Sequence, residues 1–467
     1  MILDLAEKAV NYALNFGAEY ADVRVEKIKV TSIKYSQERF DVASSGLIFG
    51  IGVRALVNGA WGFAASSLIE NEEENYVKNA SKLAVKAGKA ASLHSKKEAD
   101  IILLKPIKDE DKIVVKKDLS LISIKEKMEI PINLVEATKK FNKKIVSASA
   151  LYLDECGEKA VATSDGAKII NELSRIYFSV KAVAKEGEKL TSIHESEGFL
   201  SGFEIFDKID LRKYAVKAAE KAVKMLEAKP AVKGRFKAIL DPKIAGTFIH
   251  EAVGHACEAD YIITNQSILC NKLGDQIASE QVTIYDDSTL NGGWGSSKYD
   301  DEGVPTKKRV LIENGILKEY ILNRETAKKL GMQSNGGARA ASYAYKPLVR
   351  MSNSYLSPKD FSFEELLETV KEGIYVKGSR GGQVDPAKGV FQFSAEEAFL
   401  ISKGEIAEPL FDVSLSGSIL ETLKKIFAIG KDIEHHPGFC GKDSQFIPAG
   451  DGSPHIAVQE IIVGGKI

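Results

Sequence analysis

The segment Phe248-Ile249-His250-Glu251-Ala252-Val253-Gly254-His255 sets two imidazoles and a carboxylate close together. Zinc peptidases place His at i and i+4 of a helix, with Glu at i+1 as general base. Here the second His stands at i+5. On a regular helix, five residues turn the side chain by about 140° and raise it by roughly 7.5 Å, too far for two imidazoles to share one ion. A π-bulge absorbs one extra residue and returns i+5 to the same face. Gly254 makes that distortion cheap and is expected to leave open space beside an ion. The spacing therefore predicts a locally widened helix. A bare His pair at this spacing is common by chance and is more often core or surface filler. Here, though, Glu follows the first His and the helix has clean boundaries.

Those boundaries are legible upstream. Gly234 to Leu240 reads as a strand, Asp241 is a good N-cap, and Pro242 follows at the first helical position. On a helical wheel, Ala245, Phe248, Ile249, Ala252, Val253 and Ala256 fill one arc. Thr247, His250, Glu251, Gly254, His255 and Glu258 fill the other. Two imidazoles and two carboxylates on one stripe of a buried helix are costly unless paired or metal-bound.

A catalytic zinc needs a third protein ligand and an open position. Cys257 and Glu258 lie on the same helix, and Cys257 is awkwardly close to His255. The other soft-ligand cluster is Glu434-His435-His436-Pro437-Gly438-Phe439-Cys440-Gly441-Lys442. Its Pro and Gly content reads as a loop, in which Lys442 would lower the Cys440 thiol pKa for metal binding or nucleophilic attack. Spacing leaves the choice open. Cys156, in an expected turn at Glu155-Cys156-Gly157, and Cys270 read as plain buried thiols. Glu258 is a candidate to orient a ligand imidazole.

Four cysteines and seven histidines in 467 residues exclude a disulfide scaffold or a multi-cluster metal protein. With Lys+Arg 64 against Asp+Glu 65, the net charge of −1 gives no basic excess for nucleic acid or a membrane surface. The charged first residues do not resemble a signal peptide, and no apolar run is long enough to span a bilayer. These features, with so few cysteines, suit a cytoplasmic protein.

The fold class expected is α+β, in three parts. Residues 1–100 form an N-terminal α/β domain: a helix over 2–16, a strand from Asp22 to Lys34, a hairpin turning at Asn58-Gly59, and a helix over 68–92. Gly50-Ile51-Gly52 lies inside the strand pattern and is no dinucleotide loop. Residues 110–230 form a middle domain: helical over 115–142 but interrupted at Pro131, then an antiparallel sheet, then a helix over 211–228. Residues 234–467 form a large β-rich domain of short strands and glycine-marked loops.

The chain resembles the TldD/PmbA family of zinc-dependent proteases, in the TldD-like branch that carries the metal motif. The resemblance runs nearly end to end. It rests on Gly17 to Arg24, Gly50 to Arg54, His250 to His255 with Glu258-Ala259-Asp260, and Asp300 to Pro305. It rests further on Val310 to Gly315, Pro347 to Asn353, Gly381 to Asp385, and Cys440-Gly441-Lys442. It implies that His250, His255 and Cys440 bind Zn²⁺ and that Glu251 activates a water. The implied substrates are unfolded or flexible polypeptides. The implied assembly is a homodimer, or a heterodimer with a PmbA-like subunit lacking the motif. The alternatives are a non-catalytic zinc-binding subunit and a cysteine hydrolase with Cys440 as nucleophile and His435 or His436 as base. The family's Gly-Asn-Gly-Arg-Arg run is altered here, where Arg339 alone remains before Ser342-Tyr343. Arg339, Tyr343 and the Gly381-Gly382 amides are candidates to stabilise an oxyanion.

Overall fold

The computed structural model describes residues 1–94 and 98–465. Its first sheet contains seven strands and runs across the boundary expected between residues 100 and 110. The antiparallel strands Tyr20–Ser36 and Ile145–Thr163 pair from Asp22↔Thr163 to Ser36↔Ser149. The hairpin Arg39–Val57/Ala60–Ser67 extends the sheet on one side, and Ala167–Glu186 and Lys189–Phe199 extend it on the other. Asn58 and Gly59 both have positive φ, as their turn requires. Helices Ile2–Asn15 and Glu73–Ser92 cover one part of the sheet, packing Ala6, Val10, Ala80 and Ala84 against Val23, Ile51 and Val53. Helices Ile124–Phe141 and Leu211–Lys224 cover the other part.

Two local expectations change. The helix starts at Ile124, behind a capping box of Ser123 and Glu126, and is one unbroken element that carries Pro131 inside it. Glu155-Cys156-Gly157 is not a turn but the middle of a 19-residue strand. Gly157 has φ +146, and a Cβ there would stand 2.2 Å from the Lys27 carbonyl oxygen. It serves close backbone approach within the sheet rather than chain reversal.

The remainder holds two large sheets and a two-stranded ribbon of Ala338–Arg339 with Leu348–Val349. In one, Gly373–Asp385, Gly234–Leu240, Ile456–Gly465, Val413–Ser418 and Val390–Ser402 pair in turn, and the last pairs back with the first, closing a ring of strands. The strands Gly373–Asp385 and Val390–Ser402 each run 13 residues, so this region is not built of short strands alone. The other sheet has six strands and ends with Asn353–Leu356, Gln445–Ser453 and, at its edge, Glu434–Lys442. The site helix Pro242–Ile249 packs against strands of both sheets.

Ion pairs join the first sheet to this region. Arg54 bridges Asp22 at 2.7 Å and Glu302 at 2.6 Å, and Lys159 meets Asp301 at 2.5 Å. Gly50 and Gly52 are where Tyr343 settles on the sheet: Cβ atoms there would meet its ring and its carbonyl oxygen at 2.1 Å. No helix among the described residues is long and apolar enough to cross a membrane.

Candidate metal centre

Asp241 caps the site helix by accepting from Ile244 N at 3.0 Å, with Pro242 in the first turn. Ile244, Ala245, Phe248, Ile249, Ala252 and Val253 are buried, and Phe248 meets Phe391 edge-on at 5.1 Å. Over His250–Gly254 the helix widens to a π turn, closed by the His255 N–H donating to the His250 carbonyl. This five-residue bond is the distortion that the i, i+5 spacing demanded. Gly254 has a different use from the one expected. It has an ordinary helical backbone, and the space beside it is filled: a Cβ would lie 1.8 Å from Met351 Sδ.

The widened turn brings His250 and His255 to one side, with ring centroids 5.5 Å apart. Cys440 meets them from the six-stranded sheet, its Sγ 3.5 Å from His255 Nε2 across 185 positions of chain. One ligating atom from each of His250, His255 and Cys440 lies within 4.8 Å of the others, and all three residues are buried. Glu251 stands beside them with Oε2 3.9 Å from His255 Nε2 and its side chain 27% exposed.

Cys440 is on a strand, not in a loop. Pro437 is tolerated because Glu434–Lys442 is an edge strand, where a missing N–H breaks no central ladder. In register, His436 opposes Asp451, Cys440 opposes Ile447 and Lys442 opposes Gln445. Directly opposed residues and alternate residues along a strand share a face, so His436, Cys440, Lys442 and Asp451 all lie on one face. Lys442 Nζ reaches Glu258 Oε2 at 3.1 Å and Asp260 Oδ2 at 2.7 Å. Glu258 in turn holds His255 Nδ1 at 2.9 Å.

The electrostatics follow from these contacts. Burial alone would raise the Cys440 thiol, but the facing His250 and His255 outweigh it and hold the thiol well below its usual range. Lys442 is spent on Glu258 and Asp260, so the imidazoles, not the lysine, activate the sulfur. Burial opposes the charge on Glu258, and His255 and Lys442 restore it. Asp451 is pushed up to about 7 by burial against the counter-pull of His250 and Lys243.

The other candidates lie elsewhere. His435 packs edge-on against Tyr355 at 5.2 Å, and His436 is four residues along the strand from Cys440. Cys257 is fully buried in the apolar core and its thiol is pushed up by burial. Arg339 donates to the Met351 carbonyl at 2.7 Å. Tyr343 OH bonds Ser67 Oγ at 2.9 Å on the first sheet. Gly381 and Gly382 sit on an exposed bulged stretch of strand. Sequence reasoning passed over Met351, Asp451 and the reach of Lys442. The one available signal was Lys442 two positions beyond Cys440, the spacing that puts both on one strand face. A cavity of about 660 Å³ opens beside the strand pair, walled by Glu26, Lys159, Arg175, Asp301, Arg339 and Ile447 among others.

The PmbA/TldA metallopeptidase domains match this chain in order: domain 1 over residues 21–91, the central domain over 117–226 and the C-terminal domain over 233–465. The chain belongs to the PmbA/TldA metallopeptidase family. Among its relatives, a metalloprotease of Methanocaldococcus jannaschii is 45% identical over 93% of this chain and 94% of that protein. A zinc metalloprotease TldD homolog of Saccharolobus solfataricus is 32% identical over 98% of this chain and all of its own length, 100%. TldE of Thermococcus kodakarensis shares the fold of this family member, with a TM-score of 0.80 at 22% identity over 99% of this chain and 100% of that one.

Proposed function

We propose that this chain is a zinc-dependent peptidase acting on unfolded or flexible polypeptides, with His250, His255 and Cys440 holding the ion and Glu251 as general base. The observation that carries this reading is the buried His–His–Cys trio, ligating atoms within 4.8 Å, beside the partly exposed Glu251. The donor set fits zinc: two imidazoles and a thiol held toward its anionic form, with three protein ligands leaving a fourth position open. When bound there, zinc polarises the scissile carbonyl and makes a water acidic near neutrality. Glu251 takes the proton from the attacking water and passes it to the leaving amine. Glu258 fixes the His255 ring, and Lys442 keeps Glu258 charged. The substrate class rests on the family, whose relatives include a zinc metalloprotease TldD homolog. A cytoplasmic setting and work as a dimer, with itself or with a PmbA-like subunit, complete the proposal.

Glu251→Gln should abolish peptide cleavage while zinc content stays at the wild-type level. Undiminished cleavage would falsify the assignment. A second reading draws on the Cys440–His255–Glu258 line, which has the order of a thiol nucleophile, a base and its orienting carboxylate. His250 argues for the metal, because a thiol–imidazole pair has no use for a second imidazole on the sulfur. Cleavage that survives chelation would favour the thiol enzyme.

A further inference from the structure

The two imidazoles differ in what holds them. His255 Nδ1 has Glu258 at 2.9 Å, whereas among the described residues no carboxylate is hydrogen-bonded to His250. A histidine that ligates a metal almost always donates its other ring N–H to a carboxylate, a carbonyl or a water. Asp451 Oδ1 is buried and has no hydrogen-bond partner. It lies against the site helix at Gly246, 2.8 Å from where a Cβ would stand. Gly246 is one turn before His250, and helical side chains lean back toward the N-terminus, so the His250 ring covers that turn. The sheet and helix are in step along their whole contact: Lys442 meets Glu258, Cys440 meets His255, and Asp451 meets the turn under His250. The nearby cation is committed elsewhere, since Lys243 Nζ binds Glu396 Oε1 and the His194 carbonyl, each at 3.1 Å.

We propose that Asp451 is the positioning residue for His250, its carboxylate accepting the ring N–H that faces away from the metal. The inference rests on the zinc reading above. The site is then held from both ends of the widened turn, His255 by Glu258 and His250 by Asp451. Glycine at 246 is what lets the carboxylate come close enough.

The test is zinc affinity by chelator competition for wild type, Asp451→Asn and Cys440→Ser, with thermal unfolding of each metal-free protein. Asp451→Asn should lose about 10- to 100-fold in zinc affinity with its metal-free melting temperature unchanged. Its cobalt-loaded form should show shifted ligand-field bands. Zinc affinity within twofold of wild type overturns the inference. If Asp451→Asn does not fold, Asp451→Glu, which displaces the carboxylate by one methylene, should still bind zinc several-fold more weakly, and wild-type affinity there overturns it equally. Cys440→Ser separates the two proposals. Wild-type affinity in that variant removes the trio itself, whereas weak binding in Cys440→Ser with full binding in Asp451→Asn removes only the role of Asp451.

Discussion

Lys442 Nζ lies 3.1 Å from Glu258 Oε2, the same oxygen that holds His255 Nδ1 at 2.9 Å. The side chains of Lys442 and Glu258 are 3% and 0% exposed. Lys442→Met would leave the carboxylate buried without its lysine partner, and unfolding of the metal-free protein should show a loss of about 3–5 kcal/mol. Adding Glu258→Gln to that variant should recover much of the loss. Denaturant unfolding of the two single variants and the double variant measures the coupling, and simple additivity would show that the pair is not a unit.

Gly254 and Met351 make a second coupled pair. Gly254→Ala places a methyl group on Met351 Sδ, so the widened turn or the methionine must move. The expected cost is about 1–3 kcal/mol in stability, with weaker zinc binding. Met351→Ala in the same chain should offset it. If Gly254→Ala alone keeps wild-type stability and zinc affinity, the close approach is not what demands glycine.

Asp286 gives a pH dependence with a definite sign. It is fully buried, paired with Arg309, and accepts from Ser352 Oγ at 2.6 Å and Ser354 Oγ at 2.7 Å. Burial raises its pKa, but Arg309 and the serines outweigh this and hold it below the usual carboxylate value. Below about pH 4 the unfolded chain therefore takes up this proton before the folded one does, and stability falls with pH. Asp286→Asn should lose about 3–5 kcal/mol at neutral pH. The gap between wild type and variant should narrow below about pH 4 in urea unfolding series. A gap that stays constant down to pH 2 would contradict it.

The shared first sheet predicts that its two parts depend on each other. A chain starting at residue 110 would expose the Ile145–Thr163 edge along its pairing with Tyr20–Ser36. Such a long, unpaired edge recruits other chains. Sedimentation should find this fragment associated, and a well-folded monomer would show that the middle part stands alone.

What the sequence revealed follows from local rules. The widened turn was readable because i, i+5 spacing leaves no other way for two imidazoles to share a face, and the Asp241-Pro242 start because capping is local. Gly157 and Pro437 misled for one reason. Both residues usually break a strand, yet one permits close backbone contact inside a sheet and the other sits on an edge. Asp451, between Gly450 and Gly452, looks like a turn residue. Only its register opposite His436, and the glycine in the helix above it, show where it points. Those are tertiary facts that no spacing within one segment can carry.

The placement of the three proposed ligands has a consequence for the order in which the centre is assembled. A ribosome that has finished the site helix has made His250, Glu251 and His255, but the Cys440 sulfur is 185 positions from His255 and faces them only after its strand has joined the six-stranded sheet. On the proposed ligand set, the centre is complete only once the strand that carries Cys440 has taken its place at the edge of the six-stranded sheet.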